Sequence, residues 1–191
     1  EIFVVCVEDE INFCQENIVH PYGFKKVKGI VPGGAQRQDS VANALAVISN
    51  AEYILVHDGA RPFLTQELLT RVIQAAQLHG AAGLAVPVKD TIKLVDGEGF
   101  ISHTPDRSRL WAMQTPQVFR AHILRQAYDK AAKDGFHGTD DSSLVERLGY
   151  RIKIIDGTYN NIKVTTPEDL IIGERILENI EKRCELEDGG S

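Results

Sequence analysis

The sequence predicts an α/β fold: a mostly parallel, Rossmann-like sheet with helices on both faces and one inserted β-hairpin arm. Three observations carry this reading. Short apolar runs rich in β-branched residues, Ile2-Phe3-Val4-Val5-Cys6-Val7 and Tyr53-Ile54-Leu55-Val56, have the length and composition of strands buried on both faces. Segments with apolar residues at helical spacing alternate with them. At Thr91 the rhythm breaks, and two short segments flank Asp96-Gly97-Glu98-Gly99, a hairpin turn signal.

The elements follow in order. After the first strand, Asp9 or Glu10 starts a helix expected to run through Val19. Lys26 to Val31 reads as a strand, broken by Pro32-Gly33-Gly34. Val41, Leu45 and Ile48 share a helical face over Arg37 to Ile48, where Ala42, Ala44 and Ala46 favour helix. The strand from Tyr53 stops at Asp58. Thr65 caps a helix whose apolar face is Leu68, Leu69, Val72 and Ile73. Gly83 to Val88 reads as a strand.

Thr91–Val95 and Phe100–Thr104 then form the hairpin. A lone two-stranded hairpin is marginal in water, so residues 90–110 are expected either to lie on the domain or to clasp a second protomer; the second is favoured because the hairpin interrupts the α/β rhythm like an inserted arm. Leu110 to Val118 returns to the core as extended chain. Arg120–Lys133 and Asp141–Leu148 read as helices, Arg151–Ile155 as a strand and Asn161–Val164 as a short extended segment. Thr166-Pro167-Glu168-Asp169 opens a last helix, with Thr at the cap, Pro at the first position and acids in the first turn. It runs to about Leu186, and Glu187–Ser191 reads as a frayed end.

The 191 residues suit one domain. A net charge of −6 argues against a general nucleic-acid binder, and no apolar run approaches the roughly 20 residues of a membrane span. Cys6, Cys14 and Cys184 show no metal-ligand spacing and read as reduced thiols of a cytoplasmic protein; the six histidines show no paired ligand spacing. Nucleophile elbow, Walker loop and GxGxxG pattern are all absent, so positioning and charge stabilisation are the expected chemistry.

Polar clusters fall at strand ends, where open α/β sheets bind ligands. The first is Gly33-Gly34-Ala35-Gln36-Arg37-Gln38-Asp39-Ser40. Paired glycines let backbone approach a ligand, and the next helix start turns N–H groups toward anions; a plain turn with a helix cap is the other reading. The second is His57-Asp58-Gly59-Ala60-Arg61-Pro62. There a carboxylate can hold Mg²⁺ bearing a triphosphate and Arg61 can grip phosphate; the alternative is a surface Asp–Arg pair. Asp90–Lys93 and Pro105–Arg109 are either functional or solvated hairpin charge. Thr139-Asp140-Asp141-Ser142 is either a site or a helix cap, and a lone Lys163 would ordinarily be surface.

Taken together, six segments resemble the 2-C-methyl-D-erythritol 4-phosphate cytidylyltransferases over nearly the whole chain. They are Gly33–Val41, Val56–Pro62, Pro87-Val88-Lys89-Asp90-Thr91-Ile92-Lys93, Gln114-Thr115-Pro116-Gln117, Thr139–Ser142 and Asn161-Ile162-Lys163-Val164-Thr165. The resemblance implies a homodimeric cytidylyltransferase that joins CTP and methylerythritol phosphate with Mg²⁺ and releases pyrophosphate. It implies that Gly33, Gly34, Asp39, Ser40, Asp58 and Ala60 face the nucleotide and that Asp58 also lies by the metal. Asp58, Arg61, Thr91, Arg107, Thr139 and Lys163 would hold the polyol phosphate, with Arg107 and Lys163 orienting the attacking oxygen. Thr91 and Arg107 would be offered by the arm to a composite site in the dimer.

Members of that family open with a strand, a Gly-rich loop and a Pro-Lys-Gln segment that supply an Arg and a Lys for the leaving pyrophosphate. The present sequence starts after that region and is expected to belong to a longer polypeptide. The nearest rival is a ribitol-5-phosphate cytidylyltransferase; Gly59-Ala60 and Asp106-Arg107 look more like the methylerythritol type. A catalytically inactive dimeric fragment and a general sugar-nucleotide binding module are the readings from other classes.

Overall fold

A computed structural model describes residues 1–188, and the side chains of residues 1–182. Gly189–Ser191 of the expected frayed end and the thiol of Cys184 lie outside the described residues. In chain order the elements are β1 (Ile2–Cys6), α1 (Ile11–Cys14), β2 (Val27–Pro32), α2 (Arg37–Val47), β3 (Tyr53–Val56), α3 (Gln66–His79), β4 (Ala81–Pro87), β5 (Leu94–Val95), β6 (Ile101–His103), β7 (Trp111–Arg120), α4 (Ala121–Asp134), α5 (Asp141–Glu146), β8 (Lys153–Asp156) and α6 (Pro167–Asp188). The α/β class holds, with the strands divided among sheets of order β1-β2, β3-β7-β4-β8 and β5-β6. The chain forms two compact units, Glu1–Ile54 with Phe119–Arg151, and Leu55–Val118 with the segment from Ile152.

In the first unit β1 pairs parallel with β2, Phe3 opposite Gly29 and Cys6 opposite Pro32. The helix expected from Asp9 or Glu10 through Val19 is broken up. A 3₁₀ turn at Glu8–Glu10 precedes α1, and a π turn covers Gln15–Val19. Its two buried residues, Cys14 and Val19, are five apart, a spacing that a π turn brings to one side and an α-helix does not. Helix α4 buries Ile123, Leu124, Ala127, Tyr128 and Ala131 at helical spacing and packs with α5. From it Arg125 donates to the carbonyls of Leu45 (2.6 Å) and Ile48, satisfying groups that the C-terminal end of α2 leaves open.

In the second unit Ala81–Val86 of β4 are buried throughout, and β4 runs parallel to β8 with Ala85 opposite Asp156. The strand starts at Ala81, two residues before Gly83. The small residues Ala81, Ala82, Gly83 and Ala85 leave room for α3, whose buried residues Leu68, Val72 and Ala76 lie four apart on one face. Thr65 caps α3 as expected, its hydroxyl accepting the Leu68 N–H at 3.3 Å. The arm is less regular than its sequence predicts. Its strands shrink to Leu94–Val95 and Ile101–His103, and Thr91–Lys93 lie outside them. Every residue from Lys89 to Thr104 is exposed, so little packing holds the arm's ends in register. The short extended segment Asn161–Val164 lies in the connection between β8 and α6. Helix α6 opens as predicted, the Asp169 carboxylate accepting the N–H groups of Thr165 and Thr166, both at 2.9 Å.

Candidate active site

The first polar cluster is built where β2 ends. The Gly33 N–H donates to the Cys6 carbonyl at 2.8 Å. The Gly34 N–H donates to Ser40 Oγ at 3.0 Å, and that hydroxyl donates to the Gln36 carbonyl at 3.1 Å. The Asp39 carboxylate accepts the Gln36 N–H at 3.0 Å, closing the loop onto the first turn of α2. A Cβ on Gly34 would lie 2.2 Å from the Asp39 Cβ, so only glycine admits this closure. Gly33, Gly34, Asp39 and Ser40 therefore form one folded turn.

The same unit ties α2 to the segment bearing Thr139. Arg37 donates to the fully buried Asp141 at 2.9 Å, and the Tyr128 hydroxyl donates to the other carboxylate oxygen at 2.5 Å. Burial first, and then the Asp141 charge, push the Tyr128 hydroxyl pKa far above its ordinary value. The Gln38 amide donates to the Phe136 carbonyl (3.0 Å) and accepts the Gly138 N–H (2.9 Å). Asp140 caps α5 by accepting the Ser143 N–H at 2.9 Å, so the helix-cap reading of this motif is realised, while Thr139 is exposed.

The second cluster lies after β3. Lys163 Nζ stands 3.1 Å from Asp58 Oδ2, an ion pair between the two loops. Arg61 instead donates through Nη1 to the Asn161 carbonyl at 2.7 Å, and its own N–H returns to the Asp58 carbonyl at 2.9 Å. Burial lowers the Arg61 pKa, partly opposed by the Asp58 charge; a guanidinium remains cationic all the same. Val164 donates its N–H to the Ala60 carbonyl at 2.8 Å, which locks the loop of Lys163 to the loop of Asp58.

Beneath them lies a layer that sequence reasoning missed. The Asp58 N–H donates to Thr115 Oγ1 at 2.9 Å. His57 spans from Thr115 Oγ1 (Nδ1, 3.1 Å) to the Arg61 carbonyl (Nε2, 3.0 Å). A carbonyl only accepts, so Nε2 carries the proton and Nδ1 accepts from the threonine hydroxyl. Burial is the main cause holding the His57 pKa below its ordinary value and the ring neutral. Asn161, fully buried, donates to the Thr115 carbonyl at 2.9 Å and to Gln114 Oε1 at 3.3 Å. The one available signal was that Thr115 and Asn161 fall inside the recognised segments; neither shows any sequence periodicity.

Thr91 and Arg107 sit on the arm. Thr91 is exposed, and Arg107 donates to the Lys89 carbonyl at 2.8 Å from a 3₁₀ turn capped by Asp106. The Ser108 hydroxyl and N–H, both donating to Asp106, lower that carboxylate's pKa. The structure thus joins Asp58, Ala60, Arg61 and Lys163 directly and leaves Thr91 and Arg107 on the hairpin. Among the described residues no group of three or more His, Cys, Asp or Glu side chains is placed to hold a metal ion. No helix among them is long and apolar enough to cross a membrane.

Comparison with known proteins matches residues 1–179 to the family model of 2-C-methyl-D-erythritol 4-phosphate cytidylyltransferase. A protein of that name from Alkaliphilus metalliredigens is 50% identical over 190 residues, covering 98% of this chain and 79% of its own. One from Caldanaerobacter subterraneus subsp. tengcongensis is 49% identical over 178 residues, covering 93% and 78%. Among solved structures, the 4-diphosphocytidyl-2C-methyl-D-erythritol synthase of Anaerococcus prevotii superposes with a TM-score of 0.85 at 32% identity, covering 93% of this chain and 78% of that one.

Proposed function

The chain belongs to the 2-C-methyl-D-erythritol 4-phosphate cytidylyltransferase family, and from that premise we propose how its residues divide the reaction between them. The enzyme transfers a cytidylyl group from CTP to 2-C-methyl-D-erythritol 4-phosphate in isoprenoid precursor synthesis. A phosphate oxygen of the polyol attacks the α-phosphorus, the bond to the β-phosphate breaks, and pyrophosphate leaves. Two polyanions must meet, so positioning and charge neutralisation carry the catalysis.

The observation that carries the assignment is the pairing of Lys163 with Asp58 on loops joined backbone to backbone, with Arg61 on the same turn. Lys163 and Arg61 grip the polyol phosphate, and Lys163 turns its attacking oxygen toward CTP. Asp58 serves the nucleotide and metal side. The folded turn of Gly33, Gly34, Asp39 and Ser40 receives the cytidine part of CTP. Thr139 contacts the polyol phosphate, and Thr91 and Arg107 reach it from the arm of a second protomer in a homodimer. The arm's exposed Leu94, Val95, Phe100 and Ile101 support that pairing. The work is placed in the cytoplasm.

One carboxylate suits Mg²⁺, which commonly binds through one or two carboxylates together with substrate phosphates. Asp58 would hold an ion that arrives with the triphosphate, and that ion would neutralise phosphate charge. The test, on the polypeptide carrying an intact N-terminal segment, is Mg²⁺-dependent pyrophosphate release from CTP with methylerythritol phosphate, run beside ribitol 5-phosphate. Release with the first substrate supports the assignment; release only with the second selects the rival substrate, and no release with either overturns the reading.

A further inference from the structure

Asn161 carries none of the roles assigned above, yet both its side chain and its backbone are hydrogen-bonded beneath the site. It is 0% exposed. Its side-chain amide donates to the Thr115 carbonyl at 2.9 Å and to Gln114 Oε1 at 3.3 Å. Its N–H donates to the Thr158 carbonyl at 3.1 Å, and its own carbonyl accepts Arg61 Nη1 at 2.7 Å. Two residues on is Lys163. One side chain therefore fixes the backbone that aims Arg61 and carries Lys163.

We propose that Asn161 is a positioning residue for the polyol-phosphate grip, its two amide N–H groups holding the Arg61-facing carbonyl and the Lys163 loop in register with strand β7. The inference rests on the assignment of Arg61 and Lys163 to that grip.

The polarity of this contact is fixed. Both partners of the Asn161 amide, a carbonyl and the Gln114 oxygen, are acceptors. Gln114 cannot turn its amide to relieve a change, because its Nε2 already donates to the Thr158 carbonyl at 2.9 Å. The turn wraps closely on that amide, since a Cβ on Gly157 would lie 2.4 Å from Gln114 Oε1. Asn161 Oδ1 is buried with no hydrogen-bond partner, so its bonding is entirely through the donors. The same β7 residue that receives Asn161 at its carbonyl offers its hydroxyl to the Asp58 N–H. A shift of the 157–164 loop would therefore move Arg61 and Lys163 relative to Asp58, and errors of about 1 Å at such groups cost on the order of 100-fold.

The experiment is steady-state kinetics on Asn161→Asp, which keeps shape and reverses hydrogen-bond polarity, and on Asn161→Ser, which is small and retains one donor. Both are assayed well below their measured melting temperatures. The expected result is a rise of about tenfold or more in KM for methylerythritol phosphate, with KM for CTP within about twofold of the parent. A merely structural role would raise both KM values together, or neither, and either outcome in a folded variant overturns the inference. Arg61→Ala runs alongside. If it leaves the polyol KM unchanged, the assignment of Arg61 fails and the inference with it; if it raises that KM while the Asn161 variants do not, the inference alone fails.

Discussion

Lys163 Nζ lies 3.1 Å from Asp58 Oδ2, with the lysine side chain 45% exposed and the aspartate 14%. The two charges belong to loops joined by the Val164 to Ala60 backbone hydrogen bond, so the pair is placed by main chain rather than by side-chain flexibility. An ion pair this open to solvent contributes about 0–1 kcal/mol to stability. Its placement bears on chemistry instead: an arriving phosphate competes for the ammonium, and an arriving cation competes for the carboxylate.

Lys163→Ala therefore separates activity from fold. The expected result is a loss of about 10²–10³ in kcat/KM for the polyol phosphate, the scale for removing one preorganised charge-stabilising group. Thermal melting should shift by no more than about 1 kcal/mol equivalent. A fall in activity that only mirrors a large drop in melting temperature would show that the lysine is structural.

Gly34→Ala tests the nucleotide turn. The new Cβ would sit 2.2 Å from the Asp39 Cβ, an overlap that neither backbone segment can absorb without opening the turn. Ser40 would then lose the Gly34 N–H. KM for CTP should rise strongly while KM for the polyol phosphate moves little, because Asp58, Arg61 and Lys163 hang on hydrogen bonds of their own. Unchanged CTP affinity, measured by titration calorimetry, would remove this turn from the nucleotide site.

How far the sequence shows these features depends on the range of the forces that make them. Helices α3 and α6 and the strand Tyr53–Val56 are legible because caps and apolar runs are local signals. The segment from Glu8 to Val19 misleads, because helical composition hides the five-residue spacing of Cys14 and Val19. Asp58 and Lys163 are legible as motif members, but their pairing joins positions more than a hundred residues apart. His57 is legible as a member of the His57–Pro62 cluster, but its role depends on Thr115, which no local pattern brings beside it.

His57 supplies a pH prediction. Burial holds its folded-state pKa below the ordinary value of about 6.5, so the unfolded chain takes up the proton first as pH falls. The stability tied to neutral His57 is fully present above about pH 6.5 and is lost as pH falls through the folded-state pKa. Urea midpoints should decline on that acidic side, and His57→Gln should flatten the decline by roughly one proton's worth of slope. Equal pH slopes in parent and variant would mean that the ring is not held neutral.

Arg107 tests whether the site is shared between protomers. Its guanidinium donates to the Lys89 carbonyl at the arm's root, and the arm's apolar residues Leu94, Val95, Phe100 and Ile101 are all exposed, as a surface that meets a second copy requires. Arg107→Ala should abolish most turnover without changing the melting temperature, since the side chain is exposed. Mixing Arg107→Ala with Lys163→Ala subunits then distinguishes two arrangements. If one protomer's arm serves its partner's Lys163, a mixed dimer holds one site with both defects and one site with none, and activity returns to about half of the parent value per dimer. If each chain supplies its own Arg107, every site carries one defect and no mixture recovers. Heterodimer formation is verified by native mass spectrometry before the assay, so that absence of recovery in confirmed heterodimers rules out the shared site.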